Sequence, residues 1–322
     1  MNIAELLMSK IDNWDPENPD FWQQQGSRIA NRNLWSSIPC LLCAFAIWLY
    51  WSIITVQMKN LGFPFETAQL FNLSAVAGLT GATLRIPNSF LIAISGGRNV
   101  IAITTIFLVI PSLGTGVALQ NPNTPYSLFV ILAALSGFGG GNFASSMSNI
   151  SFFFPKKNQG AVLGLNAGLG NVGVSVMQVL LPFVMTFPLF GPLSGQGAPL
   201  PTDIGDKVAG TLVWIQNCGL VWVPILVILV INAWFNMNNL VTASPDVGIT
   251  TKSTLIAIFK SLALIFCAFI SAAIGLYMLL VVNINMWIVL PVIIVLTVVI
   301  MGMVQKPFQI SLSPQYRIFK NK

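Results

Sequence analysis

Apolar residues fall into long, nearly uncharged runs divided by short polar breaks. That spacing predicts eight membrane-crossing helices at about 34–57, 67–94, 99–119, 126–154, 160–187, 210–235, 254–281 and 285–304, each near the roughly 20 residues needed to cross a bilayer core. Two of these runs differ from the rest. Between Leu135 and Gln178 they carry glycine, serine and asparagine at helical spacing, as Leu135-Ser-Gly-Phe-Gly-Gly-Gly-Asn-Phe-Ala-Ser-Ser-Met-Ser-Asn149 and then Gly160-Ala-Val-Leu-Gly-Leu-Asn-Ala-Gly-Leu-Gly-Asn171-Val-Gly-Val-Ser-Val-Met-Gln178. Glycine costs a helix interior about 1 kcal/mol, so such density needs a reason. In a bilayer the reason is close helix approach, with amides and hydroxyls bonding across the seam.

The chain has 322 residues, 55% hydrophobic and only 7% charged, against roughly 25% charge in a soluble domain. It therefore reads as an all-α polytopic membrane protein. The net charge of +6 does not point to nucleic acid, because the cations cluster at the ends of apolar spans. With a cytoplasmic amino terminus, twelve basic residues fall on inner loops and tails, from Lys10, Arg28 and Arg32 through Arg98, Lys156 and Lys157 to Lys252, Lys260, Lys306, Arg317, Lys320 and Lys322. Only Lys59 and Lys207 fall outside. This bias predicts that both termini are cytoplasmic, and that the Gly/Pro-rich segment 188–210 is a flexible external loop.

Arg85 is the one basic residue deep in a span, about ten residues and so roughly 15 Å from its inner end. An arginine there costs at least about 2.5–3.5 kcal/mol and faces the bundle interior or a wet cavity. Gly78, Gly81 and Ser89 share its helical face. Two readings stand: a structural arginine bonded to backbone carbonyls, or a cation that receives a small planar oxyanion on its donor fork. All nine acids (Glu5, Asp12, Asp15, Glu17, Asp20, Glu66, Asp203, Asp206 and Asp246) lie in tails, loops or span ends, and the chain has no histidine. Neither a neutralising carboxylate nor a titrating proton carrier is therefore available at mid-span, which favours anion exchange over proton coupling.

On the fifth span Gly164, Gly168 and Asn171 share a face, with Gln178 two turns on. On the fourth, Gly137, Gly141 and Ser145 form a second small face with Phe143 beside it. Helix packing accounts for part of this. The further amides Asn142, Asn149, Asn166, Asn171 and Gln178 point to a polar path as well. Cys40-Leu-Leu-Cys43 has metal-like spacing, but lacks a second pair and any histidine, so buried free thiols are expected and neither metal nor cofactor. No nucleophile motif is present, and the chain does not read as an enzyme.

These segments resemble the nitrate/nitrite porters of the major facilitator superfamily. The resemblance covers about residues 13–240. It rests on Asn18-Pro-Asp-Phe-Trp-Gln-Gln-Gln, Arg32-Asn-Leu-Trp, Gly81-Ala-Thr-Leu-Arg-Ile-Pro87 and the long Gly137–Gln178 signature. It implies one six-helix half of a two-half bundle with an anion held near the midplane. It further implies that Arg85 grips nitrate or nitrite, that Asn171 contacts it, and that Phe143 and Phe45 wall the site. Gly137, Gly141, Gly164, Gly168, Asn142, Asn166 and Gln178 would then line the packing seams and the path. The expected setting is a bacterial inner membrane.

The chain departs from the family pattern at its carboxyl side. Two further spans follow Trp234-Phe235, and no second glycine-rich half comes after them. The expected organisation is a cytoplasmic tail (1–33), a six-helix major-facilitator half (34–240), a cytoplasmic linker (241–253), two additional transmembrane helices (254–304) and a basic tail (305–322). The leading expectation is the amino-terminal half of a nitrate/nitrite antiporter. Its partner would be a separately encoded carboxyl-terminal half or a second copy. A non-transporting helix-packing protein and an oligomeric anion channel are the alternatives.

Overall fold

The structure, a computed structural model, describes residues 10–244, 247, 250–305, 307, 308 and 310. Most of the expected basic tail, including Lys306, Arg317, Lys320 and Lys322, lies outside the described residues, as do Glu5 and Asp246. Eight helical rods organise the remainder: α1 (Pro19–Asn60), α2 (Thr67–Ser95), α3 (Gly97–Ala118), α4 (Tyr126–Phe153), α5 (Lys156–Val184), α6 (Asn217–Asn236), α7 (Thr251–Leu280) and α8 (Met286–Gln305). Seven of them are long and apolar enough to cross a membrane. The exception is α2. Its 29 residues span about 43 Å at 1.5 Å each, but Asn72, Arg85 and Asn88 dilute its apolar character. The chain is a multi-pass, all-α membrane protein.

The first helix starts well before the apolar run that predicted it. Asn18 caps it, its Oδ1 accepting from the backbone N–H of Asp20 and Phe21 at 3.0 and 3.2 Å, with Pro19 in the first position where no N–H is needed. Residues 10–18 ahead of it are tied to the bundle through Trp14 and a short strand. Trp14 packs edge-on against Phe21 and Phe153 and donates its Nε1–H to Phe152 O at 3.0 Å. Strand β1 (Lys10–Ile11) pairs in parallel with Asn239–Leu240, just beyond α6. A polar composition concealed these apolar anchors.

Ala198–Pro199 of the expected external loop pairs antiparallel with Leu212–Val213, and Leu200, Val213 and Ile215 are buried in the main core. Asn217 Nδ2 donates to Val184 O and Phe187 O at 2.8 and 2.9 Å, and Gln216 Nε2 donates to Ser194 O. Within 188–210 only Ser194 and Leu200 are buried, while amides at the start of α6 satisfy the carbonyls that end α5.

Helices α1 and α4 form the middle of the bundle, with α2 against one side of the pair and α5 against the other. Gly96 joins α2 to α3 at φ +79 with its Cα facing Asn239, a backbone conformation that disfavours any side chain. Helix α7 packs along α2, and α8 packs on α7. Ser95 Oγ donates to Ala257 O at 2.7 Å and lies 2.5 Å from Ser261 Oγ. Phe138 meets Phe269 at 5.1 Å between ring centroids. The outward faces of α6 to α8 are apolar, with Ile228, Phe266, Trp287 and Val295 all exposed, as lipid contact requires.

Candidate anion site

The site is built from glycine seams. Gly137, Gly140 and Gly141 of α4 face α2. A Cβ at Gly137 would lie 2.8 Å from Gly81 N, one at Gly140 2.7 Å from Gly81 Cα, and one at Gly141 2.9 Å from Leu84 Cβ. Gly139 faces α1, where a Cβ would meet Ala44 O at 2.0 Å. These glycines let backbones touch, the small-residue packing of membrane helices. Ser145 then donates across the same seam to Asn88 Oδ1 at 2.7 Å.

Close packing leaves one gap, and the indole of Trp48 fills it. Its Nε1–H donates to Ala77 O at 2.7 Å. Its ring lies where side chains on Gly81 or Gly140 would otherwise sit. Arg85 lies one turn along α2 from Gly81, with its Cζ 5.2 Å from the Trp48 ring centroid and 5.0 Å from that of Phe143. Its Nε donates to Gly140 O at 3.1 Å. The two terminal nitrogens have no hydrogen-bond partner among the described residues, and Arg85 has no ion pair there. The side chain is partly buried. It thus combines both readings of the sequence: one nitrogen bonded to a backbone carbonyl, and a donor fork left for something else. Phe45 completes the aromatic floor, 5.8 Å from Trp48 and 5.9 Å from Phe143.

Trp48 is the residue that sequence reading missed. A signal existed: it lies three residues after Phe45, on the same face of α1, opposite three glycines on two other helices that leave room for a large side chain.

The other expected site residues divide by location. Asn171, Gly164, Gly168 and Gln178 occupy the outward face of α5 and are exposed. Asn171 Nδ2 donates to Ala167 O of its own helix at 2.8 Å, and no contact joins it to Arg85 among the described residues. Gly164 and Gly168 do not pack helices here, since a Cβ at either meets nothing within 4 Å. That role falls to Gly170 and Gly173 on the opposite face, where a Cβ at Gly173 would lie 2.0 Å from Leu42 O of α1. Asn142 and Asn166 are sealed in helix seams rather than lining the open face. Asn166 Nδ2 donates to Ser146 Oγ at 2.9 Å. The Oδ1 atoms of Asn142 and Asn166 are buried without a partner.

The exposed or half-exposed stripe Ala75, Gly78, Ala82, Arg85 and Ser89 of α2 and the exposed stripe Gly164, Gly168, Asn171, Ser175 and Gln178 of α5 flank the α1–α4 pair that carries Phe45, Trp48 and Phe143; the side between these stripes is the candidate groove.

The helices keyed together by glycine around Arg85 and its aromatic neighbours form a multi-pass membrane bundle. The Major Facilitator Superfamily profile matches residues 39–193. The chain is 47% identical over 238 residues to the nitrate/nitrite transporter NarU of Salmonella typhimurium, covering 74% of this chain and 50% of that relative. It is 46% identical over 238 residues to NarU of Escherichia coli, with the same coverage. It is 41% identical over 224 residues to the probable nitrate/nitrite antiporter NarK2 of Thermus thermophilus, covering 70% and 49%. The chain belongs to the nitrate/nitrite porter family of the major facilitator superfamily, and it spans about half the length of these relatives.

Proposed function

We propose that this chain supplies one half of a path that exchanges nitrate and nitrite across a bacterial inner membrane, with both termini in the cytoplasm, and that it catalyses no chemical conversion. One observation carries the reading: a mid-span guanidinium lies between two aromatic rings with its terminal nitrogens unbonded on an open groove. Nitrate and nitrite are flat and carry one negative charge over their oxygens, so a planar donor fork suits them. The names of the relatives support the choice of anion. The absence of histidine and of mid-span acids from the sequence supports exchange, in which one anion leaves as another arrives and no side chain need titrate.

Residues 34–240 form the six-helix unit in this proposal, 241–253 a linker, and 254–304 an added hairpin. A second half, separately encoded or a second copy, covers the groove from the side of α2 and α5. Arg85 binds the anion, Phe45 and Phe143 wall it, and Asn171 reaches it from the opposite wall as the groove narrows.

Nitrate-for-nitrite exchange in proteoliposomes tests this, for the chain alone and with a candidate carboxyl-terminal half. Arg85→Lys keeps the charge but loses the bidentate fork, so exchange should fall by at least about tenfold, the loss of one or two charge-assisted hydrogen bonds at roughly 1.5–3 kcal/mol each. Undiminished exchange by folded Arg85→Lys protein would remove Arg85 from the path.

A further inference from the structure

We propose that Trp48 is a positioning residue that fixes the orientation of the Arg85 fork, and so sets the preference for flat oxyanions over spherical ones; this rests on the anion-site reading above. The indole is firmly held. Its Nε1–H is tied to Ala77 O at 2.7 Å, on the turn of α2 just before Gly81. Gly81 and Gly140 crowd its ring edge, and Gly139 lies against its Cβ, a Cβ on that glycine falling 3.0 Å away. Three backbone contacts and one hydrogen bond leave the ring a single seat.

Arg85 is then constrained by what surrounds it. A free arginine has long rotatable stems and loses about 2 kcal/mol of rotamer freedom when fixed. Here the Gly140 carbonyl holds Nε at 3.1 Å, and Trp48 and Phe143 flank Cζ at 5.2 and 5.0 Å. A guanidinium over two ring faces gains cation–π attraction from both, which favours this slot over other rotamers. The slot fixes the direction in which both terminal N–H groups point.

Directionality is what separates anions of equal charge. A planar oxyanion accepts two parallel hydrogen bonds only if the fork is held in register, whereas chloride accepts from any direction. Removing the wall should therefore harm nitrate more than chloride. A role confined to packing would weaken the protein for every anion alike.

The experiment uses the full chain in lipid nanodiscs, with thermal stabilisation titrated separately by nitrate, nitrite and chloride to give apparent dissociation constants. Wild type, Trp48→Leu and Trp48→Phe are compared, with thermal midpoints without anion as the measure of folding. The expected result is that the preference for nitrate over chloride shrinks about tenfold in Trp48→Leu, the size of a lost cation–π wall and its hydrogen-bond register. Trp48→Phe, which keeps one ring but not the N–H, should fall between. If Trp48→Leu does not fold, Trp48→Phe decides alone. Variants that fold and keep the wild-type preference, with all three anions weakened together, overturn the positioning role and leave the anion site standing. A wild-type chain stabilised by none of the three contradicts the anion site itself, and the positioning role falls with it.

Discussion

The α4 seam and the outward face of α5 carry nearly the same sequence vocabulary and meet opposite fates. In both, glycines recur at helical spacing among serine and asparagine. On α4 the glycines are occupied: Gly137, Gly139, Gly140 and Gly141 each press on a neighbouring helix, and Ser145 bonds across the joint. On α5, Gly164 and Gly168 face open space, with Asn171 and Gln178 exposed beside them. The difference teaches that a small-residue stripe records where a surface must come close, without saying whether the approaching surface belongs to the same bundle. On α4 that surface is α1, α2 and the Trp48 ring. On α5 no surface meets Gly164 or Gly168 among the described residues.

The comparison breaks most visibly at Gly139. A methyl group there would sit 2.0 Å from Ala44 O, a backbone atom that cannot rotate aside, so α1 and α4 must separate. Gly139→Ala should cost about 3 kcal/mol, the upper end of typical overpacking, read as a lower thermal midpoint or midpoint of chemical unfolding. Ser145→Ala should cost about 1 kcal/mol in the same assay, since it deletes one interhelical hydrogen bond and leaves Asn88 Oδ1 without that donor. Gly168→Ala should do the reverse. With nothing within 4 Å to clash and a better helix former in place, the chain alone should keep or gain stability, by no more than about 1 kcal/mol. The same change should weaken exchange once a covering half is present. A destabilised Gly168→Ala chain would show that α5 is already packed on that face.

Much of this fold is legible in the sequence because the bilayer demands it. Long apolar runs must be helices, and their number and rough positions follow from length alone. Arg85 was equally visible, as the lone cation at mid-span. What stayed hidden depends on contacts between residues far apart in the chain. The anchoring of Trp14 on Phe152 and Phe153, the pairing of Ala198–Pro199 with Leu212–Val213, and the division of α5 into a packed Gly170–Gly173 face and an open Gly164–Gly168 face all need the third dimension. So does Trp48, an ordinary apolar residue until Gly81, Gly139 and Gly140 close around it. Asn142 and Asn166 show the opposite limit. Their amides suggested a path, and the fold closes both into seams.

The most direct measurement is a density map of the chain in lipid with nitrate present, compared with one without. Planar density is expected at the Arg85 terminal nitrogens, within about 2.7–2.9 Å as charge-assisted hydrogen bonds require, beside Phe45, Trp48 and Phe143. A guanidinium with both terminal nitrogens bonded to protein carbonyls, unchanged by nitrate, would contradict an anion site at Arg85.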